Sequence, residues 1–287
     1  MHPKMNTFGV NIRFTDFGES HGAAVGGVLD GIPSRLVIDT NFIRQELDRR
    51  AGRNGVLGVS ARAVNEPDEI EWLSGVIEQG GLTTLGTPIA FIIRNKDARP
   101  EDYEILKDVY REGHADWVYE QKYGIRDYRG GGRASARETV ARVVAGCIIR
   151  QVLAQQGVEI HAELVQVGEE CDPTKFEALL SRVQSEGKSI GGVVACYIKG
   201  LKAGFGEPIF DKLQARLAYS IMSINGCRSF EYSSGIVGGI SDGNEINFRC
   251  RFKPTATTVS KYGGRHDACI AVRATAVVEA MAAMALV

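Results

Sequence analysis

Gly113-His-Ala-Asp116, then Gln121-Lys-Tyr-Gly-Ile-Arg-Asp-Tyr128, then Arg129-Gly-Gly-Gly-Arg-Ala-Ser-Ala-Arg137 bring a histidine, four arginines (Arg126, Arg129, Arg133, Arg137) and a triple glycine into one segment. An apolar-periodic helix follows at once. Ala136, Val140, Val143, Val144, Cys147 and Ile148 share one helical face, and Gly157 is its stop. Glycines feeding a helix N-terminus make an anion cradle, because free N–H groups and the helix dipole point at the ligand. The arginines add donors suited to phosphate and carboxylate. The competing reading is a surface turn with solvated arginines, the commoner fate of such side chains. The coincidence of glycines, helix start and arginines favours the anion site. No Lys-Ser/Thr pair follows the glycines, and Gly-x-Gly-x-x-Gly is absent, so neither a Walker loop nor a dinucleotide fingerprint is present.

Working outward, the 287 residues carry 34 Lys+Arg against 35 Asp+Glu, a net charge of −1. That balance excludes a broadly basic nucleic-acid binder and confines any positive field to one locality. No apolar run reaches the roughly 20 residues that span a bilayer, and Met1–Met5 lacks the apolar core of a signal peptide. The six cysteines are scattered without a Cys-x-x-Cys pair. They suit buried thiols in a reducing, cytoplasmic compartment rather than a zinc site.

Toward the N-terminus, Phe8–Phe14, Ala24–Leu29 and Leu36–Ile38 read as strands. Between the first two lies Gly18-Glu-Ser-His-Gly22. Ser20 and His21 are neighbours on an extended chain and face opposite ways, and no helix follows. The segment is therefore a poor nucleophile elbow; a glycine turn with a capping serine competes with a functional role. Residues 41–50 form a short helix capped by Asn41 or Thr40, ending in Arg49, Arg50 and Arg53. Residues 54–66 are unpatterned and read as a loop. Ile70–Ile77 and Pro88–Ile93 are strands, and residues 97–110 a charged surface segment.

Toward the C-terminus, Glu159–Val167, Gly191–Ile198 and residues 245–252 alternate as strands. Helices span residues 172–187, 207–223 and 275–286. Strands in clusters, with a few long helices and no regular βαβ rhythm, predict an α+β fold with antiparallel sheets. No linker composition interrupts residues 1–287, which predicts a single domain. Three loops pair a histidine with polar residues beside glycines: Ser20-His21, His114-Ala-Asp116 and Arg265-His266-Asp267. Together they describe a polar, phosphate-ready pocket with proton donors near neutral pH.

These segments resemble the chorismate synthase family. The likeness rests on Gly18–Gly22 with Asp30-Gly-Ile-Pro33, on Leu73-Ser-Gly-Val76, Gly113–Asp116 and Gln121–Thr139, and on Gly206–Leu213, Met222-Ser-Ile-Asn225, Lys253-Pro-Thr255 and Gly264–Asp267. They occur in the family's order across nearly the whole chain. The resemblance implies a shikimate-pathway lyase that converts 5-enolpyruvylshikimate 3-phosphate to chorismate by 1,4-anti elimination of phosphate. It also implies reduced FMN as cofactor, long helices packed between antiparallel sheets, and a homotetramer. Some members of the family reduce their own flavin with NADPH; with no extra domain visible, an outside reductant is favoured here.

Carried over residue by residue, the resemblance implies that His114 stands beside the flavin, that His21 protonates the departing phosphate, and that Asp267 helps remove the substrate proton. Ser20 and Ser135 link them. Cofactor contacts fall on Arg133, Ala134, Ser135, Asn225, Gly226, Gly238, Lys253, Pro254, Thr255, Ala256, Thr257 and Arg265. Substrate contacts fall on Arg49, Arg50, Arg53, Arg133 and Arg137. The chain departs from the pattern at Ala134, where a serine is usual, and after Arg53. It is also short between Phe230 and Gly235 and between Val259 and Gly263. Rival readings are a flavin- or phosphate-binding homologue without catalysis, against which His21, His114, Ser135 and Asp267 are retained, then a Ser20 hydrolase and an RNA binder.

Overall fold

The computed structural model of the chain describes residues 6–53, 55, 58–256, 258 and 266–287. Strands β1 (Thr7–Phe8), β2 (Arg13–Gly18), β3 (Ala24–Asp30) and β4 (Ile70–Ser74) share a sheet with β7 (Ile89–Arg94). Its order is β1-β2-β3-β7-β4, with all neighbours antiparallel. Between β4 and β7, β5 (Val76–Glu78) and β6 (Leu82–Thr84) form a separate hairpin. The second sheet orders β10 (Cys227–Ser234), β13 (Ile246–Phe252), β9 (Gly192–Lys199) and β8 (Glu159–Val167), again antiparallel. β11 (Ile236–Val237) and β12 (Ile240–Ser241), between β10 and β13 in the chain, form a separate hairpin.

Helices fill the space between the sheets. α1 (Thr40–Ala51), α2 (Ala61–Asn65) and α3 (Asp116–Tyr123) precede the long α4 (Thr139–Ala154). α5 (Phe176–Ser185), α6 (Leu213–Met222) and α7 (Ile270–Ala285) follow. α4 packs on β3, α7 packs on β8 and β9, and α4 and α7 pack on each other. The composition of α7 explains its place: Ala271–Ala285 is buried throughout, and a helix apolar all round belongs in an interior. Small side chains let the two helices approach. A Cβ on Gly146 would lie 2.3 Å from that of Ala280, so even alanine would force them apart. The expected antiparallel α+β arrangement, with long helices between sheets, is the observed one.

Several boundaries move for identifiable reasons. α1 is capped by Asp39, whose Oδ1 accepts from Phe42 N at 2.9 Å, rather than by Asn41 or Thr40. Leu36–Ile38 makes a single bridge, Val37 to Thr83, and no strand. Ile70–Ile77 divides at Gly75 (φ +79°), where a Cβ would meet Pro88 O at 2.5 Å. The helix expected from residue 207 starts at Leu213, after Asp211 in the left-handed region (φ +57°). The expected 54–66 loop contains α2, and the expected surface segment 97–110 buries Tyr103 and Leu106 from a 3₁₀ turn, Pro100–Leu106. α7 begins earlier than residue 275, and β10 was not anticipated.

Candidate active site

A cavity of about 300 Å³ opens where these loops converge. The triple glycine is its organising piece. Gly130, Gly131 and Gly132 all have positive φ (60°, 85° and 53°), accessible to glycine at no steric cost. A Cβ on Gly130 would lie 2.0 Å from His21 Nδ1, and one on Gly131 would lie 2.8 Å from His114 Nε2. The two histidines, far apart in sequence, are seated on adjacent glycines. Ser135 caps the turn that follows, its Oγ accepting from Arg137 N at 3.3 Å. The glycines thus act chiefly by making room for imidazoles, which reading them as an anion cradle did not foresee.

Each histidine has an arginine-supported environment. His21 is buried, edge-on to Tyr103 with ring centroids 4.7 Å apart, and both its ring nitrogens lie 3.3 Å from Arg62 Nη1. Arg62 also donates to Ser20 Oγ (2.9 Å) and to Ser20 O (2.5 Å). The Ser20 hydroxyl is therefore held by a guanidinium, not aligned on an imidazole, which disfavours the hydrolase reading. His114 Nδ1 lies 2.9 Å from Asp116 Oδ1. Burial alone would raise the Asp116 carboxyl. Hydrogen bonds from Arg111, together with the His114 contact, instead hold it far below the usual carboxylate range.

Asp267 comes from the residues that lead into α7. Its Oδ1 accepts from Ser60 N (2.9 Å), and both carboxylate oxygens face Arg273 Nη1 at 3.2 and 3.0 Å. Arg273 Nε in turn donates to Arg50 O at 3.1 Å. The titratable side chains on the wall are unbalanced. On the wall itself Arg50, Arg62, Arg111, Arg137, Lys253 and Arg273 outnumber Glu66 and Asp267, with Asp116 behind Arg111 and Asp68 behind Arg50 and Arg137. Burial, then the proximity of Arg273, push the Arg50 guanidinium down to about 9; burial, then Arg228, push Lys253 down. Such crowding is relieved by a bound anion. Arg50 Nη1 and Thr255 Oγ1 are buried without a hydrogen-bond partner among the described residues. Unmade bonds of that kind suit an oxygen-rich ligand.

Of the residues singled out from sequence, the cavity gathers Ser20, His114, Ser135, Asp267, Ala134, Asn225, Gly226, Lys253, Pro254, Thr255, Ala256, Arg50 and Arg137 on its wall, with His21 just behind. Others are engaged elsewhere. Arg49 pairs with Glu46 and Glu279, Arg53 with Asp48 and Asp68, and Arg133 with Asp16. Gly238 lies in the β11–β12 turn, off the wall. Thr257 and Arg265 lie outside the described residues. Asp16 is itself unusual: burial, and Glu138 beside it, push its carboxyl up to about 8. Glu138 Oε1 accepts from Asn225 Nδ2 at 2.8 Å, tying this carboxyl pair to the cavity.

Sequence reasoning missed Arg62, Arg111, Tyr103 and Arg273. Arg273 had a signal, since an arginine in an otherwise apolar alanine-rich helix must be paired. Arg62 had none, because α2 is too short to show periodicity.

A model of the chorismate synthase family matches residues 12–236 and 231–287. The chain belongs to the chorismate synthase family. It is 41% identical to the chorismate synthase of Phocaeicola vulgatus over 350 aligned residues, covering 98% of this chain and 96% of the relative. It is 42% identical to that of Parabacteroides distasonis over 351, with the same coverage. A crystal structure of chorismate synthase superposes with a TM-score of 0.74 at 26% identity, covering 96% of this chain and 90% of the other. The protein is accordingly a lyase of the shikimate pathway. Alignments of 350 residues on a chain of 287 mean that the relatives carry segments this chain lacks. The family match itself breaks at residues 231–236, where the sequence is short. There β10 continues to Ser234 through a register shift between Tyr232 and Ser234, and Gly235 (φ +81°) turns the chain into β11.

Proposed function

We propose that the cavity holds reduced FMN and 5-enolpyruvylshikimate 3-phosphate together and that the chain eliminates phosphate from the latter to give chorismate. The observation that carries this reading is the surplus of cations on a wall that also presents two glycine-seated histidines. The substrate is a phosphorylated dicarboxylate, and the cofactor adds a second phosphate. Arginine forks are the side chains matched to both groups.

The cofactor, when bound, supplies the electron density that eases loss of phosphate and is not consumed. Asn225, Gly226 and the Lys253–Ala256 segment hold and orient it, with Thr255 Oγ1 available as a polar contact. His114 presents Nε2 at the Gly131 side, the ring nitrogen through which it would exchange a proton beside the cofactor. His21, behind Ser20 and Arg62, donates a proton to the departing phosphate. Asp267, its carboxylate oriented by Arg273, accepts the substrate proton. Arg50, Arg62 and Arg137 take the substrate's phosphate and carboxylates. Arg49, Arg53 and Arg133 act indirectly, by fixing α1 and the glycine loop.

Reduced flavin comes from an outside reductant, and the chain acts as a single-domain subunit of a cytoplasmic homotetramer. Supporting assembly, the segment that carries α3 exposes large apolar side chains, Ile105, Trp117 and Ile125 among them. Among the described residues no helix is long and apolar enough to cross a membrane.

The test is an anaerobic assay of the purified chain with reduced FMN and substrate, following phosphate and chorismate together. Equal release of both, dependent on reduced flavin, is expected. Flavin binding without phosphate release would instead favour a homologue that binds but does not catalyse. Absence of flavin binding would overturn the reading.

A further inference from the structure

We infer that Asp116 is a positioning residue for His114, a role that rests on the reading of His114 given above. The carboxylate pins a proton on Nδ1, so that Nε2 is the ring nitrogen free to exchange a proton in the cavity. The segment folds so that this follows from the sequence. His114 stands two residues before Asp116, the first residue of α3. Arg111 donates to Asp116 Oδ2 from its backbone N (3.1 Å) and Nε (2.8 Å), and to Oδ1 from Nη2 (2.9 Å). His114 N donates back to Arg111 O at 3.2 Å. The Arg111–Asp116 loop is thereby closed on itself, and Arg126 Nη1 lies 3.5 Å from the same carboxylate.

Two features separate a positioning role from a plain structural ion pair. Arg111 and Arg126 already neutralise the carboxylate, yet Oδ1 also faces the histidine at 2.9 Å. The opposite side of the ring is fixed too: Nε2 faces Gly131 so closely that no side chain is tolerated there. A carboxylate oxygen accepts and cannot donate. Placed at Nδ1, it selects the tautomer carrying the proton on that nitrogen. The contact is close but oblique, as contacts between reacting groups often are before they straighten in the working complex. Lys253 Nζ donates to Gly113 O (2.6 Å), which ties the loop to the segment assigned above to the cofactor.

The experiment compares Asp116→Asn and Asp116→Glu with wild type. The full chain is labelled with ¹⁵N-histidine and observed at about pH 8.5, where imidazoles are neutral. His114→Ala identifies the resonance among five histidines. Wild type should carry its proton on Nδ1. Asp116→Asn should populate the Nε2–H form and lose ~10²–10³-fold in kcat, with KM for substrate little changed, as expected when a tautomer-selecting carboxylate is neutralised. Asp116→Glu should restore the Nδ1 proton and part of kcat. An Asp116→Asn protein with the wild-type tautomer and wild-type kcat would overturn the proposal. If Asp116→Asn does not fold, Asp116→Glu decides: a retained Nδ1 proton supports the role, and its loss with full kcat removes it. Undiminished turnover in His114→Ala would sink the reading of His114 itself. The tautomer spectrum distinguishes that failure from this one.

Discussion

Two buried charge clusters lie on either side of α1, and they are built differently. In the one between helices, Glu279 of α7 is fully buried. Its Oε2 lies 2.6 Å from Arg49 and 2.8 Å from Arg150, and its Oε1 accepts from Ala162 N at 2.6 Å. Glu46 meets the same two arginines at 3.0 and 2.9 Å. Two carboxylates balance two guanidinium groups. On the other side, six cations of the cavity wall meet four carboxylates, Glu66 and Asp267 on the wall with Asp68 and Asp116 behind it, and Asp68 and Asp116 are shared further with Arg53 and Arg126. Arginines alone therefore do not mark the site, since the helix-packing cluster uses the same residue type at similar burial. The surplus marks it: a buried positive imbalance is costly and persists where a ligand completes it.

Breaking the balanced cluster should have the largest effect on stability. Glu279→Gln leaves Arg49 and Arg150 sharing Glu46 alone and should destabilise the fold by about 3 kcal/mol, as loss of one partner of a buried pair does. Turnover per folded molecule should not change. Chemical denaturation alongside active-site-normalised kinetics checks this. Turnover falling in step with stability at unchanged folded fraction would show that the two clusters are not separate.

Asp16 sharpens the boundary between them with a smaller effect. Its raised pKa means that the folded chain binds more protons than the unfolded chain between the ordinary value of 3.8 and about 8. Stability contributed by the protonated form is therefore lost as pH rises through that window. Asp16→Asn keeps an acceptor for Arg133 and offers a donor to Glu138, so it should remove this slope and be more stable than wild type above pH 8, by of order 2 kcal/mol. Denaturant melts across pH would show it. A slope unchanged in the variant would place the titration on another group.

Much of the fold was legible because its signals are local. The alternation of Glu159–Val167 delivers β8 residue for residue, and the apolar stripe beginning near Ala136 delivers α4. The histidines and Asp267 were legible through glycine-flanked motifs and the family resemblance. Which arginines face the cavity was not legible, because their partners are distant in sequence. Asp16 engages Arg133, Asp68 engages Arg53, and Glu279 engages Arg49. Arg62 was invisible for a different reason. It lies on a five-residue helix held by tertiary contacts rather than by any periodic pattern.

Arg62→Met offers the most direct test of whether the surplus of cations serves the reaction. The side chain lines the cavity and touches both Ser20 and His21, while the methionine preserves much of its apolar stem. A fall of ~100-fold or more in kcat/KM for the phosphorylated substrate under reduced flavin is expected. The thermal midpoint should stay within about 4 °C of wild type. A variant that melts far lower yet turns over normally per folded molecule would contradict it. Arg62 would then belong with Arg49 and Arg150 as a packing arginine, and the surplus on the wall would have no part in the chemistry.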